Sequence, residues 1–291
     1  MSTLPKILVT GANGQLGKEL KELTGANPQF EFVFLTREDM PVQNFELVRN
    51  TFSIHKPAYC INCAAYTAVD NAESEKELAF QVNGEAPGVL AAVADKFKCR
   101  FIQVSTDYVF DGQGNTPYRE DAATNPQNVY GASKLEGEKQ VKQFNPASII
   151  IRTSWVYSAL GSNFVRTMLR LMSETDRIKV VNDQLGSPTY GADLAEVILR
   201  IISSGQWKPG IYHYSNEGVI SWFDFATVIK ELSGKTCIID PIPTSGYPTP
   251  AKRPMYSVLD TTKIREQYGI RIKYWKNSLE DCLKRVKKME R

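Results

Sequence analysis

The first half of the chain alternates short apolar segments with longer segments in which apolar residues recur every three or four positions. Five of the apolar segments are rich in β-branched residues and bounded by turn residues: 6–10, 31–35, 59–64, 100–105 and 148–154. Continuous apolar strands separated by helices are typical of a parallel sheet that is buried on both faces. We therefore predict an α/β fold with a doubly wound, Rossmann-like sheet. All strand carboxyl ends of such a sheet lie on one edge, where ligands bind.

The pattern loosens after about residue 155. The segments that follow are helices near 162–174 and 190–204, which flank IKVVND, then a strand in GIYHYS and a helix from Ser221 to Gly234. The proline-rich stretch 240–254 is predicted to lack regular structure, because proline has no amide donor. We expect residues 1–155 to form a dinucleotide-binding domain, with later returns to it near 185–215. Residues 156–291 should form mainly a smaller, mixed substrate-binding lobe.

Composition argues against several classes of function. The net charge of +3 is too small to indicate nucleic-acid binding, and no run approaches the roughly 18 apolar residues of a membrane span. The basic end CLKRVKKMER contains Cys282, Leu283, Val286 and Met289 as an apolar stripe, so we expect its lysines to form a solvated face. With only two histidines, the chain has little from which to build a Ser-His-Asp triad or a histidine metal site.

The cysteines suggest a compartment. Five of them are scattered along the chain, and the start MSTLPKILVT runs straight into a predicted strand. We therefore expect no secretory leader and a cytoplasmic protein. The CINC sequence at 60–63 is formally a CxxC pair, but it lies in an apolar run without a second pair. We interpret it as part of a buried strand rather than a metal or redox site.

A glycine-rich loop joins the first strand to the first helix. Gly11, Gly14 and Gly17 follow KILV directly, with Gln15 and Leu16 inside the loop. Glycines at this position allow a tight turn and close approach of a pyrophosphate to a helix N-terminus. The spacing is G-x-x-G-x-x-G, so the usual dinucleotide fingerprint does not apply literally. A plain tight turn is the alternative, but the place of the loop in the chain favours dinucleotide binding.

The end of the second strand bears on the choice of coenzyme. An acidic residue there would bind the ribose hydroxyls, whereas an arginine accommodates a 2′-phosphate. The sequence has Thr36-Arg37 at this point, followed by Glu38 and Asp39. Arg37 therefore favours NADPH over NADH, although a solvated loop arginine and the use of NADH both stay open.

Several motifs recur in a recognisable order along nearly the whole chain. They are TGANGQLG (10–17), VSTDYVFDG (104–112), NVYGASKLEGE (128–138), IRTSWVY (151–157) and YPTPAKRPMYSVLDTTKI (247–264). The chain thereby resembles the extended short-chain dehydrogenase/reductases. Within them it resembles the dTDP-4-dehydrorhamnose reductases. The Tyr-x-x-x-Lys pair identifies only the superfamily, and the STDYVFDG, RTSWVY and RP…SVLDT blocks narrow it.

The resemblance implies a reaction and three catalytic residues. The reaction is reduction of the C4 keto group of dTDP-4-dehydrorhamnose to dTDP-L-rhamnose by NADPH. Tyr130 is the expected proton donor. Lys134, one helical turn further on, should lower the pKa of Tyr130 and also bond the nicotinamide ribose. Thr106 should bond the substrate carbonyl, whereas Ser105 should face the other way and bond backbone as a buried hydroxyl.

The resemblance also implies binding residues. Those expected to line the cofactor, beyond the glycine loop, Arg37, Tyr130 and Lys134, are Ala64, Ala65, Tyr66, Thr67 and Val104. Those expected to contact the dTDP-sugar, beyond Thr106, are Asp107, Trp155 and Arg253, the last by pairing with the diphosphate. Core packing is the alternative for Trp155. Pro41-Val42 stand where some members carry acidic residues, which puts cofactor contacts there in doubt.

The expected assembly is a monomer or homodimer without a metal in the active site. Glu19 matches a position that some relatives use for an ion such as Mg²⁺ at a dimer interface. We expect a solvated helix glutamate here instead.

Two other functions stay open. An epimerase or dehydratase of the same superfamily would keep the fold and the cofactor. Dehydratases generally need a second acid after Asp107, where this chain has Tyr108, and an epimerase would retain tightly bound NAD. A non-catalytic regulatory subunit would keep the fold and would tolerate Tyr130→Phe. The intact Thr106, Tyr130 and Lys134 favour an enzyme.

Overall fold

The computed structural model describes residues 4–290. Twelve strands are found in these residues: β1 Lys6–Thr10, β2 Glu31–Leu35, β3 Tyr59–Asn62, β4 Arg100–Thr106, β5 Ile149–Thr153, β6 Val156–Tyr157, β7 Arg177–Val181, β8 Leu185–Gly186, β9 Thr189–Tyr190, β10 Gly210–Tyr214, β11 Ile220–Ser221 and β12 Ile238–Ile242. Ten α-helices are found in the same range: α1 Gln15–Glu22, α2 Phe45–His55, α3 Lys76–Phe80, α4 Ala86–Lys96, α5 Val129–Phe144, α6 Phe164–Glu174, α7 Gly191–Ser203, α8 Trp222–Ser233, α9 Thr262–Tyr268 and α10 Trp275–Met289.

A six-stranded parallel sheet forms the centre of the molecule, as predicted. Its strands lie in the order β10-β5-β4-β3-β1-β2. The chain moves from β1 outward to β2 and then returns to the other side of β1 as β3, so the winding direction reverses between β1 and β3. Ligands of doubly wound sheets bind at this switch point, beyond the strand carboxyl ends. The fold therefore directs attention to the segments that follow β1 and β3.

Both faces of the sheet are covered by helices, which explains why its strands are continuously apolar. On one face, α1, α7 and α9 pack against Ile7, Val9, Ile61, Ile102 and Ile151. On the other face, α2, α4 and α5 pack against Leu8, Cys60, Phe101 and Ile150. The alternation of partners along each strand follows from the two-residue period of a strand. The sheet is thus held rigidly between two apolar cores.

A separate apolar core lies in the second half of the chain, where α6, α8 and α10 pack together around Phe225. The helix α8 begins and ends as predicted. Ser221 and Asp224 form a reciprocal capping box at its start, and Gly234 adopts φ +71° at its end. The division of the chain into two functional units, with its boundary near 155, stays a prediction. The strand β10 does return to the central sheet from the second half.

Three local predictions were wrong. The proline-rich stretch begins inside β12, which contains Pro241 and pairs with β7 in a two-stranded sheet; proline is tolerated there because such a strand has a free edge. The helical pattern between the third and fourth strands does not form one helix: it forms α3 and α4, joined by a π-helical turn at Gln81–Glu85. On α10, Cys282, Leu283 and Val286 are buried, but Met289 is exposed because the helix ends at that residue.

The helices of residues 4–290 include none with the length and apolar character needed to cross a membrane.

Candidate active site

The glycine loop lies at the switch point and touches the segment after β3. Gly11 has φ +64°, and a Cβ at this position would lie 2.6 Å from the backbone nitrogen of Ala64. Only glycine fits both the left-handed backbone and this close approach. The loop closes with a hydrogen bond from Gly14 N to Gly11 O, and α1 begins at the next residue. The first helix therefore points its N-terminus into the crevice between β1 and β3.

The residues at this N-terminus fit the pyrophosphate of a dinucleotide. Gly14 precedes α1 with no side-chain cap, so the first amides of the helix are available to an anion. Gly14 is exposed, and a Cβ there would find only Gly11 O nearby. Gln15 carries a buried Oε1 atom with no hydrogen-bond partner. Free amides and room for close approach together form a cradle that an anionic phosphate ester would complete, whereas Gln15 Oε1 is an acceptor that a hydroxyl of the bound ligand could satisfy.

Arg37 lies at the end of β2, on the same edge of the sheet, and is exposed. It lines an open depression together with Pro41, Gln43 and Asn44. Val42 points into the core instead. The loop after β2 thus offers one cation, with carboxylates nearby: Glu46 lines the same depression, and Glu38 and Asp39 follow Arg37.

The segment that follows β3 is fixed by a residue that sequence reasoning did not select. Asn83, in the π-helical turn, accepts a hydrogen bond from Tyr66 N (2.8 Å) and donates one to Tyr66 O (2.9 Å). Its amide also donates to Ser133 Oγ on α5 (3.1 Å). Asn83 therefore ties the segment of Ala64, Ala65, Tyr66 and Thr67 to the helix that carries Tyr130. The widened turn could have been suspected only from the glycine and proline that follow Asn83.

The helix α5 begins one residue before Tyr130. Asn128 caps it by accepting from Gly131 N (2.8 Å), and Glu73 accepts from Val129 N (2.8 Å). A Cβ on Gly131 would lie 2.2 Å from Tyr108 O, so the first turn of α5 packs directly on the segment after β4. The ring of Tyr130 stands edge-on to that of Tyr108, with centroids 5.5 Å apart. Tyr130 thereby faces the carboxyl edge of the sheet.

Lys134 lies beneath Tyr130 and is almost fully buried. Its Nζ donates to the carbonyl of Val104 at 2.7 Å. Burial lowers the pKa of Lys134 to about 8, and the Glu138 carboxylate and the Cys63 thiol oppose this shift. About half of the Lys134 side chains are therefore neutral near pH 8.

One expectation about Tyr130 was wrong for this structure. Burial raises the pKa of the Tyr130 hydroxyl, and the nearby Thr106 hydroxyl only partly offsets the shift. The predicted lowering of this pKa by Lys134 is not found. The hydroxyl is thus held as a proton donor, while the hydrogen bond of Lys134 goes to Val104 O.

Thr106 and Asp107 complete the catalytic edge at the end of β4. The Thr106 hydroxyl donates to Asp107 Oδ1 at 2.9 Å. The other oxygen of Asp107 is buried with no hydrogen-bond partner, as is the hydroxyl of Ser257. Burial raises the pKa of Asp107 to about 7, and the hydrogen bond from the Thr106 hydroxyl opposes the shift. Ser257, which sequence reasoning missed, comes from the RP…SVLDT block.

Ser105 turns away from Thr106 into the interior, as expected from the strand period. Its partner is different from the expected backbone group: Ser105 Oγ donates to Glu138 Oε1 at 2.6 Å. Glu138 also receives two hydrogen bonds from Arg152, Nε to Oε1 (2.8 Å) and Nη2 to Oε2 (2.7 Å). All three side chains are buried. The only sign of this pair in the sequence is that two charged residues, Arg152 in the apolar strand β5 and Glu138 on α5, stand at positions that face the interior.

The two other predicted substrate contacts lie at the rim. Trp155 follows β5 with φ +45°, an unusual backbone for an aromatic residue, and stacks on Trp222 with centroids 3.5 Å apart. Arg253 donates to Asp70 Oδ2 at 2.6 Å and approaches the Tyr108 hydroxyl at 3.4 Å. The pairing of Arg253 with a substrate diphosphate stays a prediction.

The expectation for Glu19 was wrong. Glu19 is 1% exposed, accepts a hydrogen bond from the Ser158 hydroxyl and forms an ion pair with Arg285 at 2.6 Å. The partner lies 266 positions away, so the pattern of α1 could not reveal it. No group of three or more His, Cys, Asp or Glu side chains within residues 4–290 is arranged to hold a metal ion. The five cysteines in this range are all free thiols.

The strand order, the glycine loop at the switch point and the tyrosine–lysine pair facing it define a class. Together these three features identify the molecule as a dinucleotide-binding protein of the short-chain dehydrogenase/reductase type.

Comparisons with known proteins narrow the class. The family model for the RmlD substrate binding domain matches residues 5–288. The chain is 43% identical over 281 residues to the spore coat polysaccharide biosynthesis protein SpsK of Bacillus subtilis, with 96% of this chain and 97% of that protein covered. The chain therefore belongs to the RmlD family, and the resemblance stated from the sequence is confirmed.

Solved structures agree. A dTDP-4-dehydrorhamnose reductase from Clostridium acetobutylicum is 43% identical, with a TM-score of 0.92 and coverage of 97% of this chain and 99% of that chain. A dTDP-4-dehydrorhamnose reductase from Bacillus anthracis in complex with NADP is 37% identical, with a TM-score of 0.93 and coverage of 97% of this chain and 100% of that chain.

Proposed function

We propose that the protein reduces the C4 keto group of dTDP-4-dehydrorhamnose to give dTDP-L-rhamnose, using NADPH. The observation that carries this proposal is the convergence of Thr106, Tyr130 and Lys134 on the edge of the sheet beside the glycine loop. The reductases that this chain resembles over nearly its full length support the choice of substrate. The five free thiols support a reducing compartment, the cytoplasm, as the place of the reaction.

The cradle at Gly14 and Gln15 fits the coenzyme pyrophosphate, and the reduced nicotinamide supplies the hydride when bound. Ala64, Ala65, Tyr66 and Thr67 would hold the ring side of the coenzyme, because Asn83 keeps their segment beside α5. Lys134, with Val104 O as its present partner, would bind the ribose hydroxyls. Arg37 would neutralise a 2′-phosphate, which favours NADPH.

The chain's own groups manage the negative charge that develops on the ketone oxygen. The Tyr130 hydroxyl, whose pKa is raised by burial, donates its proton to that oxygen. The Thr106 hydroxyl lies beside it and would donate a second hydrogen bond by exchanging its bond to Asp107 Oδ1 for one to the ketone oxygen. The Lys134 ammonium, one helical turn below, would orient the coenzyme by donating to its ribose hydroxyls rather than by lowering the pKa of Tyr130. Reduction thus needs Lys134 charged, so activity should fall as pH rises through the pKa of Lys134.

The groups at the rim are suited to a nucleotide-linked deoxysugar. Trp155, held against Trp222, presents an aromatic face to the apolar side of the sugar. The unpartnered oxygen of Asp107 can accept a sugar hydroxyl. Arg253 can exchange its bond with Asp70 for one with the substrate diphosphate.

The test is direct. Purified protein is supplied with dTDP-4-keto-6-deoxy-L-lyxo-hexulose, and the absorbance of NADPH and then NADH is followed. We expect oxidation of NADPH, and dTDP-L-rhamnose as the product. A dTDP-sugar without a 4-keto group is the control and should give no oxidation. If neither coenzyme is oxidised with the keto sugar, the proposed function is wrong.

A further inference from the structure

A buried charged cluster lies directly behind the catalytic edge, and the proposed reaction does not use it. It consists of Glu138 on α5, Arg152 on β5 and Ser105 on β4, which we call the Glu138 cluster. The Glu138 and Arg152 side chains are 2% and 3% exposed, and their oxygen and nitrogen atoms approach to 2.7 Å. A buried ion pair is costly to desolvate, and an apolar pair of similar volume is often as stable. Stability alone therefore does not explain why these charged side chains are buried here.

The position of the cluster supplies the reason. Tyr130, Lys134 and Glu138 are spaced four residues apart on α5, so they share one face of the helix. Three consecutive residues of β4 meet this face: Val104 accepts from Lys134, Ser105 donates to Glu138, and Thr106 faces Tyr130.

Glu138 is also the carboxylate that favours the charged form of Lys134. Burial lowers the pKa of Lys134, and the Glu138 carboxylate makes the largest contribution that raises it. The Cys63 thiol faces Lys134 from the segment after β3 and has its own pKa raised to about 12 by burial, so it is neutral near pH 8. Behind Glu138, Arg152 lies 3.5 Å from His213, whose pKa is lowered to about 3 by burial and by Arg152. Asp107, at the end of β4, acts on Tyr130 rather than on Lys134.

We propose that Glu138, held in place by Arg152 and Ser105, is a positioning residue that keeps Lys134 charged and in register beneath Tyr130. Only one part of this inference rests on the proposed function, namely the expected effect of Glu138 on turnover of the keto sugar. The coupling between Glu138 and Lys134 is a property of the protein without substrate. The two can therefore fail separately.

The experiment measures the titration of the Lys134 side chain directly. Protein labelled with ¹³C at lysine Cε is titrated by NMR, and the Lys134 signal is assigned from its loss in Lys134→Met. We expect a midpoint near pH 8 in the unaltered protein. In Glu138→Gln the midpoint should fall by roughly 1 pH unit, because a carboxylate is lost and Arg152 is left unopposed. An unchanged midpoint overturns the proposal.

A matched control separates this effect from a loss of stability. Asp193 is also a buried carboxylate with a lysine partner, Lys273 at 2.7 Å, but it lies on α7. Asp193→Asn should destabilise the protein without moving the Lys134 midpoint. Glu138→Gln/Arg152→Met removes both charges and guards against misfolding of the single variant. Its midpoint should fall by less than that of Glu138→Gln, and a midpoint equal to that of the unaltered protein contradicts the proposal.

The kinetic consequence is a shift of the alkaline limb. In the pH profile of kcat/KM with NADPH and the keto sugar, Glu138→Gln should lose activity at lower pH than the unaltered enzyme. Well above both midpoints the loss should be about tenfold, since one pH unit is a tenfold change in the charged fraction. A purely structural role would lower kcat/KM equally at every pH, which would contradict the proposal. If the NMR midpoint shifts but the keto sugar is not reduced at all, the proposed function fails and the coupling stands.

Discussion

Two regions of the molecule bury carboxylates but differ in how completely these are hydrogen-bonded. One is the carboxyl edge of the sheet, and the other is the place where Asp193 on α7 meets Lys273 and Ser278, which we call the junction. Asp193 receives hydrogen bonds on both oxygens, from Lys273, Asn216 and Ser278. At the sheet edge, Asp107 and Gln15 each bury an oxygen that has no partner. An unsatisfied buried polar atom costs about 1–3 kcal/mol. The comparison shows that the buried carboxylate at the edge keeps an acceptor for a ligand, whereas the buried carboxylate at the junction is fully hydrogen-bonded.

Backbone geometry repeats the contrast. Three residues other than glycine have positive φ within residues 4–290: Lys56, Lys98 and Trp155. Lys56 caps α2, and Lys98 follows α4 closely, so both serve chain reversal at the surface. Trp155 lies where the candidate sugar site begins. Strain at such a position is characteristic of functional sites.

The largest expected effect comes from Tyr130→Phe, which removes the proton donor and leaves the ring. We expect kcat to fall by roughly 10²- to 10⁴-fold, while the urea unfolding midpoint changes little. Full activity of this variant in a steady-state assay would contradict the catalytic role and would support a regulatory subunit.

A second prediction concerns the pH dependence of stability. The folded pKa of Asp107, about 7, is above its ordinary value of 3.8, so folding favours the protonated form. The stability that this group confers is complete below pH 3.8 and is lost as pH rises through about 7. Asp107→Asn should remove a component on the order of 4 kcal/mol from the decline in unfolding free energy over that range. Parallel curves for the variant and the unaltered protein, measured by urea unfolding, would contradict the comparison.

Asp193→Asn tests the other side of the comparison. Loss of the charge weakens three hydrogen bonds, and we expect the free energy of unfolding to fall by about 2 kcal/mol. Because Asp193 lies outside the candidate site, kcat/KM should stay within about twofold of the original value. A large loss of activity in a folded variant would mean that the junction is part of the functional site.

The fold could be predicted from the sequence to a large extent, because period and turn chemistry are local. The helix α5, Val129–Phe144, lies between the fourth and fifth strands, where the apolar spacing predicts a helix, and α8 begins and ends at its predicted caps. The errors come from partners that are distant in sequence. Nothing local to Glu19 indicates Arg285, and nothing local to Glu138 indicates Arg152. The residues Asn83 and Ser257 were missed for the same reason, since their value depends on what the fold brings beside them.

The smallest expected effect concerns the coenzyme. Arg37→Ala removes the exposed cation at the end of β2. We expect the Kd of NADPH, measured by fluorescence titration, to rise by about tenfold, while the Kd of NADH changes by less than about twofold. Equal weakening of both coenzymes would mean that Arg37 does not recognise a 2′-phosphate.

The central claim is that the keto oxygen of the sugar meets the hydroxyls of Thr106 and Tyr130 at the edge beside the glycine loop. A crystal structure with NADP⁺ and dTDP-L-rhamnose measures this directly. We predict that the O4 atom of the sugar lies within about 2.6–3.2 Å of both hydroxyl oxygens. A well-ordered sugar whose O4 atom contacts neither hydroxyl would contradict the account.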